Sequence, residues 1–238
     1  MASKIVTSES AKEAIRFLAS ESKASILMRF FKCGKGEYGE GDIFLGVNVP
    51  EIRAITKEFA GMSIEETTSL LNSPEHEFRL CALLIWVSQS KKAKGSKEIY
   101  DAYLANLGMV NNWDLEDQSA PQIVGGYVVN HERSILYRLI ESSSMWEQRV
   151  AIVATLHLIR NGEFDDTIEL CRRVLGHKHD LIHKASGWML REMGKRSIDS
   201  LIGFLDQYAD IMPRTMLRYS IEKLSPEERK HYMEMKRR

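Results

Sequence analysis

Arg149-Val150-Ala151 sets the period of the whole chain. The same order of a basic residue, an apolar or aromatic residue and a small residue returns as Lys184-Ala185-Ser186 and Arg218-Tyr219-Ser220, and occurs earlier as Arg79-Leu80-Cys81. Successive offsets are 70, 35 and 34 residues, so the first gap holds one skipped unit. The skipped position is residue 114, inside Trp113-Asp114-Leu115-Glu116-Asp117, and one step further back reaches Phe44-Leu45-Gly46. Around each triplet, apolar residues recur at intervals of three and four, the helical period. A fixed period of this size predicts pairs of helices, each pair stacked on its neighbours.

The expected fold is therefore all-α, a HEAT-like or ARM-type helical-repeat superhelix occupying residues 1–238 as a single domain. Roughly twelve to fourteen helices are expected, with little or no sheet. Of the five prolines, Pro50, Pro74, Pro213 and Pro226 stand where helices can begin. Ser63 followed by Glu66 reads as a capping box. Ser197, Ser225 and Asp165 precede later helical patterns. Ala14, Phe17 and Leu18 mark the apolar face of a first helix, and Ile26, Leu27, Phe30 and Phe31 that of a second. The one Gly-rich interruption runs from Cys33 to Gly41. It lacks a preceding strand and a Gly-Lys-Ser/Thr end, so it is no phosphate-binding P-loop. It is either a flexible connection or a loop that carries Tyr38 or Lys35 to a ligand.

Composition narrows the function classes. The 238 residues are 44% hydrophobic and carry a formal net charge of +0, so any nucleic-acid surface must be local. Cys33, Cys81 and Cys171 are odd in number and far apart, which suits a reduced setting. No run approaches the ~18 apolar residues of a membrane span. A cytoplasmic monomer with no membrane contact is the expectation.

In a helical-pair repeat, the second helices of successive units line one concave surface. Arg79, Arg149, Lys184 and Arg218 would then form a basic track, a concave groove interrupted by Trp113 and Asp117. Residues 171–196 add Arg172, Arg173, Lys178, Arg191, Lys195 and Arg196. Lys184, Trp188 and Arg191 share one helical face, and Arg149 follows Trp146 by three. Cations interleaved with aromatics suit a nucleic-acid backbone. The competing reading is structural, a basic residue in each repeat bonding loop carbonyls.

Within the central stretch, Trp113 and Asp117 lie one helical turn apart on one face. An indole beside a fixed carboxylate can hold a sugar ring and stabilise positive charge developing on it. Asp114 and Glu116 are read as solvated or capping residues, with Asn111 or Asn112 as the N-cap. His177, His179 and His183 near Cys171 invite a metal site. Yet residues 180–182 are Asp-Leu-Ile and no HExxH exists, so no metal and no cofactor is expected.

Three motifs together resemble the AlkD-type DNA alkylation repair glycosylases: Trp113-Asp114-Leu115-Glu116-Asp117, Trp146-Glu147-Gln148-Arg149-Val150-Ala151, and Lys184-Ala185-Ser186-Gly187-Trp188-Met189-Leu190-Arg191-Glu192. Order and spacing agree over about residues 20 to 235. The resemblance implies removal of N3- or N7-alkylated purines from double-stranded DNA, with Asp117 catalytic and Trp113, Arg149, Trp188 and Arg191 in the DNA cleft. Lys184 joins them as a phosphate ligand. Tyr38, ahead of Phe44-Leu45-Gly46, matches the family's cleft tyrosine once a gap is allowed. The resemblance also implies contacts along the DNA backbone, with the base left stacked. The rival is a non-catalytic HEAT-repeat module that binds DNA or protein.

Overall fold

The computed structural model describes residues 6–236. Among these the secondary structure is helical, and an isolated bridge between Ile43 and Glu75 is the nearest approach to a strand. The helices are α1 (Ser8–Arg16), α2 (Glu21–Phe30), α3 (Val49–Glu58), α4 (Ile64–Leu71), α5 (His76–Lys92), α6 (Lys97–Ala105), α7 (Trp113–Ala120), α8 (Gly126–Val128), α9 (Ser134–Ile140), α10 (Met145–Arg160), α11 (Asp165–Arg173), α12 (Asp180–Gly194), α13 (Ile198–Tyr208), α14 (Arg214–Ser220) and α15 (Pro226–Glu234). None is long and apolar enough to cross a membrane. Contacts gather the chain into two compact units, residues 1–123 and 124–238.

The repeat is plain in the second unit. α9 packs on α10, α11 on α12, and α13 on α12, while α10 packs on α12 and α12 on α14. Arg149, Lys184 and Arg218 fall on α10, α12 and α14, so the triplets mark successive inner helices. Their small members explain the pattern: Ala151, Ser186 and Ser220 are buried where helices meet. Gly187 makes the same point, since a Cβ there would lie 2.5 Å from the Met216 carbonyl oxygen on α14. In the first unit α5 packs on α3, α4 and α7. It is buried from His76 to Val87 and apolar from Leu80 to Val87, as suits a helix packed on several neighbours.

Helix starts follow the sequence signals. Pro50 and Pro226 sit in the first turns of α3 and α15, and Ser197 and Ser225 cap α13 and α15. The expected capping box at Ser63 is only half made. Ser63 accepts from the Glu66 N–H at 3.3 Å, but the Glu66 carboxylate turns to the N–H of Ser8 at 2.6 Å, at the start of α1. Asp165 is the first residue of α11 rather than its cap. The three-and-four recurrence does mark helices at α1 and α2, though not all of its residues are buried. Phe17 is 89% exposed and Phe30 is 62% exposed, and α2 buries none of its residues. Periodicity marks a helix, but burial needs a partner on that face.

The turn Phe44–Val47 is fixed by a buried carboxylate. The Glu77 carboxylate, itself 2% exposed, accepts backbone N–H groups of Leu45, Gly46 and Val47 at 2.8–3.2 Å. Gly46 has φ +83, and a Cβ there would lie 2.1 Å from the Ser20 carbonyl oxygen. Gly36 has φ +80 but open space around it. Gly46→Ala should therefore cost more than about 2 kcal/mol in urea denaturation, whereas Gly36→Ala should cost only about 1 kcal/mol. Equal losses would show that the close approach to Ser20 is not what constrains this turn.

Candidate active site

The site is built on a buried carboxylate. Asp42 ends the Gly-rich loop and is 6% exposed. It accepts from Arg79 at 2.6 Å, from Asn112 at 3.1 Å and from Asn111 at 3.3 Å, and its second oxygen faces His76 Nδ1 at 3.4 Å. Arg79 also donates to Asn111 at 2.5 Å. Across the ring, His76 Nε2 lies 2.9 Å from Asp114 Oδ2. Asn112 in turn caps α7, its side-chain oxygen accepting from the Trp113 N–H at 2.9 Å. One network thus ties the loop, α5 and the first turn of α7.

The charges in this network set one another. Burial alone would lower the His76 pKa, but the charge and hydrogen bond of Asp114, together with Asp42, raise it to about 9. Burial alone would raise the Asp42 pKa; hydrogen bonds from His76 and the charge of Arg79 hold it well below the usual carboxylate range. A carboxylate at each ring nitrogen favours the imidazolium form, which can donate on both sides.

Beside the network lies an aromatic stack. Trp113 packs on Phe31 at 5.1 Å, Phe31 on Phe44 at 5.0 Å, and Phe44 on His76 at 4.4 Å. Phe30 meets Trp113 edge-on at 5.9 Å. The Trp113 indole N–H donates to the Tyr38 hydroxyl at 3.3 Å, so the loop does carry Tyr38 to Trp113. Lys35 stays exposed. These rings border a cavity of about 430 Å³, which Asp114, Asp117, Gln118 and Glu77 also line. Trp113 and Asp117 share this cavity, as their one-turn spacing requires. α7 then runs into a π-helical turn at Pro121–Gly125. Pro121 has no N–H for the Asp117 carbonyl four residues back, which accounts for the widened turn there.

Several expectations are corrected. Asp114 is 6% exposed and bonded to His76, and Glu116 is fully buried, so neither is a solvated or capping residue. Arg79 is 3% exposed and spent on Asp42 and Asn111, so it is no member of a surface track. No motif or spacing in the sequence marks Asp42, His76 or Glu77 as site residues. The signal that could have found His76 and Glu77 is position, since they open the helix bearing the repeat triplet Arg79-Leu80-Cys81.

In the second unit Arg149 is 4% exposed and donates to the Leu181 carbonyl at 2.7 Å, a structural role for this basic residue of the repeat. Lys184 pairs with Asp180 at 2.8 Å on a half-exposed surface, and Trp188 is half-buried on the same helix. Arg191 pairs with Glu222. The three histidines act on backbone. His179 caps α12 through the Leu181 N–H at 3.2 Å, His177 accepts from the His179 N–H at 3.0 Å, and His183 Nε2 donates to the His177 carbonyl at 2.6 Å. Among the described residues no group of three or more His, Cys, Asp or Glu is placed to hold a metal ion.

Removing the Asp42 carboxylate strands two buried cations. Asp42→Ala should lower stability by about 3–5 kcal/mol in urea denaturation. An unchanged midpoint would remove Asp42 from the centre of the fold.

Comparison with known proteins shows the family and the fold. The sequence model of the family described as DNA alkylation repair enzyme matches residues 11–224. No curated protein matches the chain. Among solved structures, a predicted DNA alkylation repair enzyme from Enterococcus faecalis is similar in fold, with a TM-score of 0.75 at 19% identity over 89% of this chain and 99% of that one. The family match takes in the Gly-rich loop, the Trp113–Asp117 turn and both later motifs, and the chain belongs to the DNA alkylation repair enzyme family.

Proposed function

We propose that this chain is a monofunctional DNA glycosylase that hydrolyses the N-glycosidic bond of N3- or N7-alkylated purines in double-stranded DNA. The observation that carries the reading is Asp117 beside Trp113 on one cavity wall. An alkylated purine is already cationic, so it departs as a neutral base and needs little help from an acid. The remaining barrier is positive charge developing on the deoxyribose, and a fixed carboxylate stabilises it. Asp117 fills that role and positions the attacking water. Water's oxygen bonds to C1′ as the C1′–N bond breaks, and the proton passes to the carboxylate or solvent. Trp113 lies against the sugar and excludes water, with Tyr38 orienting its indole.

Trp188, Lys184 and Arg191 supply contacts to the DNA backbone from the second unit. The ion pairs of Lys184 and Arg191 are partly exposed and cost little to exchange for phosphate. Arg149 acts from beneath, holding the Leu181 carbonyl at the start of α12. The protein works as a monomer, since a repeat protein that follows DNA needs no symmetry partner.

Methylated duplex DNA should release 7-methylguanine or 3-methyladenine on incubation with the protein. Asp117→Asn should slow release by roughly 10²–10³-fold while salt-sensitive DNA binding persists. Binding without any release by the unmodified protein would point instead to the non-catalytic module. Asp114→Asn abolishing release while Asp117→Asn spares it would move the catalytic carboxylate by three positions.

A further inference from the structure

Chemistry at Asp117 carries an electrostatic difficulty. The carboxylate must be anionic to stabilise positive charge on the deoxyribose, and the phosphates on either side of that sugar are anionic too. Bringing like charges together costs free energy unless a cation stands beside them. Arg79, the repeat's basic residue in the first unit, cannot serve, because it is 3% exposed and spent on Asp42 and Asn111.

Arg53 meets the need. It lies exposed on α3, one helical turn after Val49, and Val49 lines the cavity beside Trp113. Its Nη2 donates to the Gln118 side-chain oxygen at 2.8 Å, and Gln118 lines the same cavity next to Asp117 in the chain. That oxygen belongs to a neutral amide, and the described residues place no carboxylate in ion-pair contact with the guanidinium. Lys32 and Lys97, by contrast, are paired with Glu37 and Asp101. The charge of Arg53 is therefore held in place without being neutralised. Its mounting is firm, since Ile52, Ile55 and Thr56 of α3 are buried and α3 packs on α1 and α5. A guanidinium has five N–H donors, so the bond to Gln118 leaves enough for a two-pronged grip on a phosphate.

We infer that Arg53 binds a phosphate flanking the damaged nucleotide and so offsets the repulsion between that phosphate and Asp117. The inference rests on the glycosylase reading and deepens it, adding a DNA contact from the first unit that neither the repeat pattern nor the three motifs single out.

The test uses the whole protein, a duplex with one 7-methylguanine, and the same duplex with a non-hydrolysable 2′-fluoro analogue at that position. Arg53→Met, a change at an exposed residue, should hardly move the urea midpoint. It should weaken binding of the analogue duplex about tenfold and flatten the dependence of log Kd on log salt by about one. The rate of base release at saturating protein should change by no more than about threefold, because Asp117 and Trp113 are untouched. Replacing one of the two flanking phosphates by a neutral methylphosphonate should weaken binding of the unmodified protein about tenfold and of Arg53→Met hardly at all, as expected of two groups in contact. Arg53→Lys, which keeps the charge but not the fork, should fall between. Normal base release with unchanged affinity and salt slope in Arg53→Met would overturn the inference and leave the glycosylase reading standing. Additive losses from Arg53→Met and from methylphosphonate at both flanking positions would also overturn it, placing Arg53 elsewhere on the DNA. No base release by the unmodified protein would take the glycosylase reading away, and this inference with it.

Discussion

The structure of the first unit depends on one buried anion. Asp42 gathers Arg79, His76, Asn111 and Asn112, which come from α5 and from the approach to α7. A lone carboxylate at 6% exposure would be unaffordable; with four donors it becomes an anchor. The arrangement is pH-sensitive from both sides. His76 is raised from its ordinary 6.5 to about 9, so the stability it contributes is complete below about pH 6.5 and lost as pH rises through about 9. Asp42 runs the other way. Its lowered pKa gives stability that is present above the ordinary 3.8 and lost only as pH falls well below it.

Preorganisation at Trp113 and Asp117 follows from that anchor. Asn112 is both a ligand of Asp42 and the N-cap of α7, so the network sets where the helix begins and hence which way its first turn faces. Glu77 performs a parallel task at the turn Phe44–Val47 by gathering the N–H groups of Leu45, Gly46 and Val47, and Phe44 is stacked on His76. Charged groups that a stability argument alone would remove are retained here. Their return is rigidity in the walls of the cavity beside Trp113 and Asp117.

Much of this was legible in the sequence, and the rest was hidden for identifiable reasons. The period near 35 found the inner helices because a small residue is required wherever α10, α12 and α14 meet. The i,i+4 spacing found the Trp113–Asp117 face because local geometry alone dictates it. Asp42 and His76 were invisible because they are 34 residues apart, and only folding makes them neighbours. Asp114 and Glu116 were misjudged for the same reason. A carboxylate in a first helical turn is usually solvated, and nothing local shows that α7 is packed against α5. Arg79 and Arg149 show the limit of reading charge from a pattern, since these two of the repeat's four basic residues are buried structural donors.

The most direct test of this account is an NMR pH titration of His76, using ring-labelled histidine in the intact protein. Carboxylates at both ring nitrogens predict a doubly protonated imidazolium at pH 7 that loses its proton near pH 9. A neutral single tautomer at pH 7, titrating at or below the ordinary 6.5, would contradict the buried ion network on which the placement of Trp113 and Asp117 rests.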